Sequence, residues 1–210
     1  MISLPSNAVL LLIDVQQAFN DAAWGERNNP DAEKKIASLL AAWRERSMPV
    51  FHVHHINPKS TSLFNPASVG SVVKEEARPL PGEPVFVKSV NSAFIGTDLE
   101  AQLRANRITT LVIVGITTDH CVSTTARMAG NLGFSTYVVS DATATFERIG
   151  PGGRHWSAEI MHDTALASLH EEFATIVSEA EVLENLALFA KSASVKSHVT
   201  DEQIEERAHA

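Results

Sequence analysis

The sequence predicts an α/β fold, a parallel sheet covered by helices on both faces. Short β-branched runs alternate with longer segments whose apolar residues recur at helical spacing, as they do when each strand is followed by a crossover helix. The length of 210 residues with 44% hydrophobic and 20% charged content also suits one globular domain.

About six strands are expected, at residues 8–15, 49–55, 84–88, 110–116, 136–141 and 173–178. Between the first two, residues 31–47 carry Ile36, Leu39, Leu40 and Trp43 at helical spacing, and residues 97–105 carry Leu99 and Leu103 before the fourth. After the fourth strand Val122, Ala126 and Ala129 share a helix face that stops near Gly133, and a last helix holds Met161, Ala165, Leu166 and Leu169. The stretch 57–84 contains Pro58, Pro66, Gly70, Pro79, Pro81 and Gly82, which suits a surface loop that helps wall a site.

Composition narrows the function classes. Lys and Arg total 17 against 25 for Asp and Glu, a net charge of -8, which argues against non-specific nucleic-acid or anionic-lipid partners. No apolar run reaches the roughly 18 to 20 residues of a membrane span. The amino end carries no basic segment before its first apolar run, and Cys121 is the single cysteine, so no internal disulfide or multi-thiolate zinc site forms. A cytoplasmic protein is expected on these grounds.

In open parallel sheets ligands bind beyond the carboxyl ends of the strands. Asp14 ends the first apolar run and Lys88 the third, and Cys121 follows the fourth. The three are therefore expected on one rim. A cysteine at a helix start near an ammonium is expected to give thiolate near neutral pH, with Asp14 passing its proton to a leaving group. Backbone N–H groups around Thr117 to Cys121 would receive charge on a carbonyl oxygen. Each residue also has a plain structural reading: Asp14 as a helix cap, Lys88 as an ion-pair lysine, Cys121 as a small buried hydrophobe.

Asp14 in Leu-Leu-Ile-Asp-Val-Gln-Gln-Ala-Phe, Lys88 in Val-Lys-Ser-Val-Asn-Ser-Ala-Phe, and the block Gly-Ile-Thr-Thr-Asp-His-Cys-Val-Ser-Thr-Thr-Ala-Arg resemble the isochorismatase-like cysteine hydrolases. The likeness covers about residues 6 to 180. It implies a Rossmann-like three-layer sandwich with a six-stranded parallel sheet and an Asp14, Lys88 and Cys121 triad. It further implies a non-proline cis peptide between Ile116 and Thr117, which aims the N–H groups of Thr117 and Cys121 into an oxyanion hole. Residues 1–190 are expected to form the hydrolase domain, and the polar stretch 191–210 a tail or oligomerisation arm.

Within that family the chain resembles the metal-free branch. Where nicotinamidases carry a metal-binding Asp-x-His pair, this chain has His55 and Asn57. No metal or other cofactor is expected, and His52 and His54, alternate residues of one strand, would need further ligands from elsewhere. Cys121 favours hydrolysis of a C–N bond in a small amide or ureide through a thioester. The alternatives are vinyl ether cleavage as in true isochorismatases, which often lack the cysteine, and a non-catalytic doubly wound binding domain. Phe19, Trp24, Asn91, Ser92 and Phe94, the aromatic and polar residues nearest the motifs, are the expected substrate contacts, with His54 or its neighbour His55 as a wall. Asp119 is expected to cap the following helix. His155 and His162 read as helix-surface residues. A small-molecule substrate and a homo-oligomer, dimer or tetramer, complete the expectations.

Overall fold

The computed structural model describes residues 2–188; the tail expected at 191–210 lies outside the described residues. A six-stranded parallel sheet runs in the order β3-β2-β1-β4-β5-β8. Its strands are β1 (Val9–Ile13), β2 (Val50–His55), β3 (Val85–Lys88), β4 (Thr110–Ile116), β5 (Ser135–Ala144) and β8 (Thr175–Val177). A two-residue hairpin, β6 (Arg148–Ile149) and β7 (His155–Trp156), stands apart from it.

The central strands β1 and β4 are buried at every position, as strands covered on both faces must be. Alternate side chains divide between two apolar layers. Val9, Leu11 and Ile13 pack with Leu99 and Leu103 of α2 (Leu99–Ala105), Ala126 and Ala129 of α3 (Ser123–Asn131), and Leu166 and Leu169 of α4 (Ala158–Leu169). Leu10 and Leu12 pack on the other side with Ile36, Leu39 and Trp43 of α1 (Ala32–Glu45) and with Val182 and Leu186 of a helical segment at 179–188. The expected α/β sandwich is therefore the fold.

Strand ends differ from expectation where the backbone turns. β1 stops at Ile13 because Asp14 takes a left-handed conformation at φ 51°. β5 runs on to Ala144, re-pairing Thr143 and Ala144 with Gly115 and Ile116 after a register shift. Gly115 has φ 125° and lies so close to β1 that a Cβ there would collide with the Ile13 carbonyl. Only glycine allows these two strands to close at the end where the site forms. No described helix is long and apolar enough to cross a membrane.

Candidate active site

The sheet order reverses at β1, so the connections after β1 and β4 leave on opposite faces and open a crevice between them. Asp14 follows β1 and Cys121 lies in a one-turn π-helix, Thr118–Val122, after β4. Lys88 ends β3, two strands from β1, and its long side chain crosses the end of β2. Lys88 Nζ donates to Asp14 Oδ2 at 2.5 Å and to Cys121 Sγ at 3.3 Å, and lies 3.3 Å from His55 Nδ1. Three acceptors thus surround an ammonium with three N–H groups.

All three expected residues are buried, Asp14 completely and Cys121 least, at 8% exposure. The second Asp14 oxygen, Oδ1, is buried without a hydrogen-bond partner. Asp14, His55 and Cys121 each offer an atom within 4.8 Å of the others, so the thiol lies where its proton can pass to that carboxylate. Asn91 Nδ2 donates to Cys121 Sγ at 3.6 Å.

Desolvation raises the Asp14 carboxyl above its usual range, opposed by the Lys88 charge. Burial and the Asp14 carboxylate push the Cys121 thiol up to about 12, against the lowering effect of Lys88. The expectation of a thiolate near neutral pH is corrected here. Cys121 sits in a buried turn beside a carboxylate, and these outweigh the ammonium. Burial and the neighbouring carboxylate thus favour the protonated thiol.

A cavity of about 150 Å³ opens onto Asp14, Thr117 and Cys121. Phe19, Trp24 and Phe64 form one wall, with Phe19 ring centroids 5.2 Å from both the Trp24 and the Phe64 ring. Phe146 stacks behind Phe19 and Trp24. His55, Asn91 and His120 supply the polar part of the lining.

Among the expected contacts, Phe19, Trp24 and Asn91 line this cavity. The Ile116–Thr117 peptide is cis; Thr117 reaches the cavity, while Ile116 is buried behind it against Phe19 and Phe146. His54, Ser92 and Phe94 stand elsewhere. Strand alternation puts His54 on the same face as His52, where their rings lie 6.4 Å apart, and turns His55 to the site. The Ser92 hydroxyl is buried and accepts from Phe94 N–H, and the Phe94 ring stacks on Phe134. Asp119 does not cap a helix: it accepts from Thr145 Oγ1 at 2.5 Å and pairs with Arg148.

Sequence reasoning missed Phe64, His120 and the part played by Gln16. The Gln16 amide donates to the carbonyls of His55 and Ser71 and accepts from His55 N–H, stitching β1 to the end of β2 and to the 57–84 loop. Parity was the available signal for His55, since it stands directly beside Lys88 in the β2–β3 register. Phe64 had a weaker one, as the sole aromatic of the loop.

Asp14, His55 and Cys121 are the one group of potential metal ligands among the described residues. The Lys88 ammonium already contacts all three, so a divalent ion would meet a fixed positive charge. The donor set does not suit a cation. His52 is bonded to Glu83, which is paired with Arg44, and His54 Nε2 is buried without a partner.

An acid, an ammonium and a thiol meet at the switch point of this sheet, a set of groups suited to nucleophilic chemistry. Residues 8–181 match the isochorismatase domain, and the chain belongs to the isochorismatase family of hydrolases. It is 48% identical over 176 residues to the uncharacterized isochorismatase family protein YrdC of Bacillus subtilis (strain 168), covering 84% of this chain and 94% of that one. A solved isochorismatase-family structure from Chromobacterium violaceum superposes with a TM-score of 0.87 at 43% identity, over 89% of this chain and 97% of its own. The ureidoacrylate amidohydrolase RutB of Methylobacterium radiotolerans is 28% identical over 216 residues, 86% of this chain and 80% of that enzyme.

Proposed function

We propose that the protein is a cysteine amidohydrolase that cleaves the C–N bond of a small amide or ureide through a thioester on Cys121. The observation that carries this reading is Cys121 Sγ beside Lys88 Nζ, with an unpartnered, buried Asp14 oxygen within reach. The thiol proton passes to Asp14 as sulfur attacks the carbonyl carbon, and the N–H groups of Thr117 and Cys121 receive the charge on the carbonyl oxygen. Asp14 then protonates the leaving nitrogen, the C–N bond breaks, and the thioester remains. Asp14 next takes a proton from water, hydroxide displaces the sulfur, and the proton returns to the thiol.

The raised Asp14 carboxyl suits both directions of transfer. Lys88 holds Asp14 in place and steadies the sulfur. A cavity of about 150 Å³ walled by Phe19, Trp24 and Phe64 suits a small acyl group with an apolar face. The RutB relative, a ureidoacrylate amidohydrolase, agrees with this reaction class.

The test is mass spectrometry of protein quenched during incubation with a panel of small primary amides and ureides. An acyl adduct is expected on Cys121, its mass reporting the acyl half, and Cys121→Ala is expected to lose the adduct together with ammonia release. Ammonia release at the wild-type rate by Cys121→Ala overturns the nucleophile assignment.

A further inference from the structure

We infer that His162 is a positioning residue for the turn that carries Cys121, acting through the Thr118 hydroxyl; this rests on the cysteine-hydrolase reading. His162 lies in the inward stripe of α4 with Ala158, Leu166 and Leu169, where helical spacing calls for an apolar side chain. It is 6% exposed, not on the helix surface as expected. Its Nδ1 stands 2.9 Å from Thr118 Oγ1, and Thr118 is fully buried.

Proton positions follow from the neighbours. Asn29 Nδ2, 3.5 Å from His162 Nε2, already donates to the carbonyls of Ser140 and Thr143. Burial keeps the imidazole neutral, with one N–H. That N–H belongs on Nε2, because Asn29 Nδ2 already spends both its hydrogens on the two carbonyls and has none left to donate to it. Nδ1 is then the acceptor, and the Thr118 hydroxyl donates to it.

Thr118 opens the turn Thr118–Val122 and directly follows Thr117, whose N–H the proposed mechanism pairs with that of Cys121 as the oxyanion donors. The next residue, Asp119, is held from the other side by Thr145 and Arg148. Two successive residues of the turn are thus pinned by different elements, and His162 is the pin from α4. Losing it frees the backbone that aims both the sulfur and its neighbouring N–H groups, while the cavity lining keeps its composition.

The test uses p-nitrophenyl acetate as acyl donor, following acetyl transfer to Cys121 by stopped-flow release of p-nitrophenol and by mass spectrometry. His162→Phe is expected to slow acetylation on the order of 10- to 100-fold without moving the half-saturating concentration. His162→Asn keeps an acceptor near the place of Nδ1 and is expected within about threefold of wild type. The double variant Thr118→Val/His162→Phe removes both polar partners. It is expected to recover thermal midpoint without recovering rate. A wild-type rate in His162→Phe, or recovery of rate with stability in the double variant, overturns the inference. Iodoacetamide alkylation of Cys121 separates this outcome from the earlier one. If wild type does not acetylate, the cysteine-hydrolase reading fails; unequal alkylation of His162→Phe and His162→Asn then still supports the positioning role, and equal alkylation overturns it.

Discussion

Asp14, Lys88 and Cys121 are set by the ends of β1, β3 and β4, whereas Phe19, Trp24 and Phe64, which wall the same cavity, come from segments outside the sheet. The first group is held by ladder pairing, by complete or near-complete burial, and by one ammonium that reaches both partners. The second is held by ring packing and by a few backbone links, such as Trp24 Nε1 donating to Ala18 O. Strand ends fix atoms within the tolerance that proton transfer demands. Irregular segments fix a shape, which tolerates change. On the proposed reading, the floor of the pocket sets the reaction class and its wall the choice of substrate.

The largest effect is expected from breaking the floor. Asp14→Asn removes the proton acceptor and leaves the Lys88 charge buried without its partner. Acylation of Cys121 should fall on the order of 1000-fold or more, measured by stopped flow with the same activated ester. A loss below about tenfold would assign the proton to another base. A smaller effect is expected from the wall. Phe64→Ala should change the relative rates among amides of different acyl size by about tenfold, while iodoacetamide alkylates Cys121 at nearly the wild-type rate. Equal losses for every amide would place Phe64 in the floor and erase the distinction.

The smallest effect concerns stability against pH. Burial lowers His54 and His55 to about 4, helped at His55 by the Lys88 charge. The folded rings take protons less readily than the unfolded ones, so their contribution is whole above the unfolded value of about 6.5 and is lost as pH falls toward 4. Glu33, held down to about 2 by Arg27 and Lys74 against its burial, adds loss in the same direction between about 4.5 and 2. Thermal midpoints measured from pH 8 to pH 3 should decline through both windows. His55→Gln should flatten the upper one, and a constant midpoint from pH 7 to pH 4 would count against buried neutral rings.

Much of the site was legible because its chemistry is spelled in short blocks at strand ends. Asp14 closes Val-Leu-Leu-Leu-Ile, Lys88 closes Val-Phe-Val, and Cys121 follows Thr-Leu-Val-Ile-Val-Gly-Ile, so periodicity and the switch-point rule place them together. The wall was legible in part. Phe19 and Trp24 lie close to Asp14 along the chain, but Phe64 reaches the cavity from a loop whose path depends on tethers such as Gln16 to Ser71. His162 looked like a surface residue because its spacing says which face it shares, not that its partner is a threonine on a distant turn.

The sequence by itself determined the layered α/β sheet, the rim that holds the acid, the ammonium and the thiol, and the family those blocks belong to. The sheet and the rim follow from local causes: apolar runs of strand length, helical spacing between them, and polar residues where the runs stop. Tertiary structure decided which histidine faces the site, since one residue of strand parity separates His54 from His55. It also decided the protonation of Cys121. A thiol's acidity depends on the desolvation and charge that gather around it, and here Asp14 and burial outweigh Lys88.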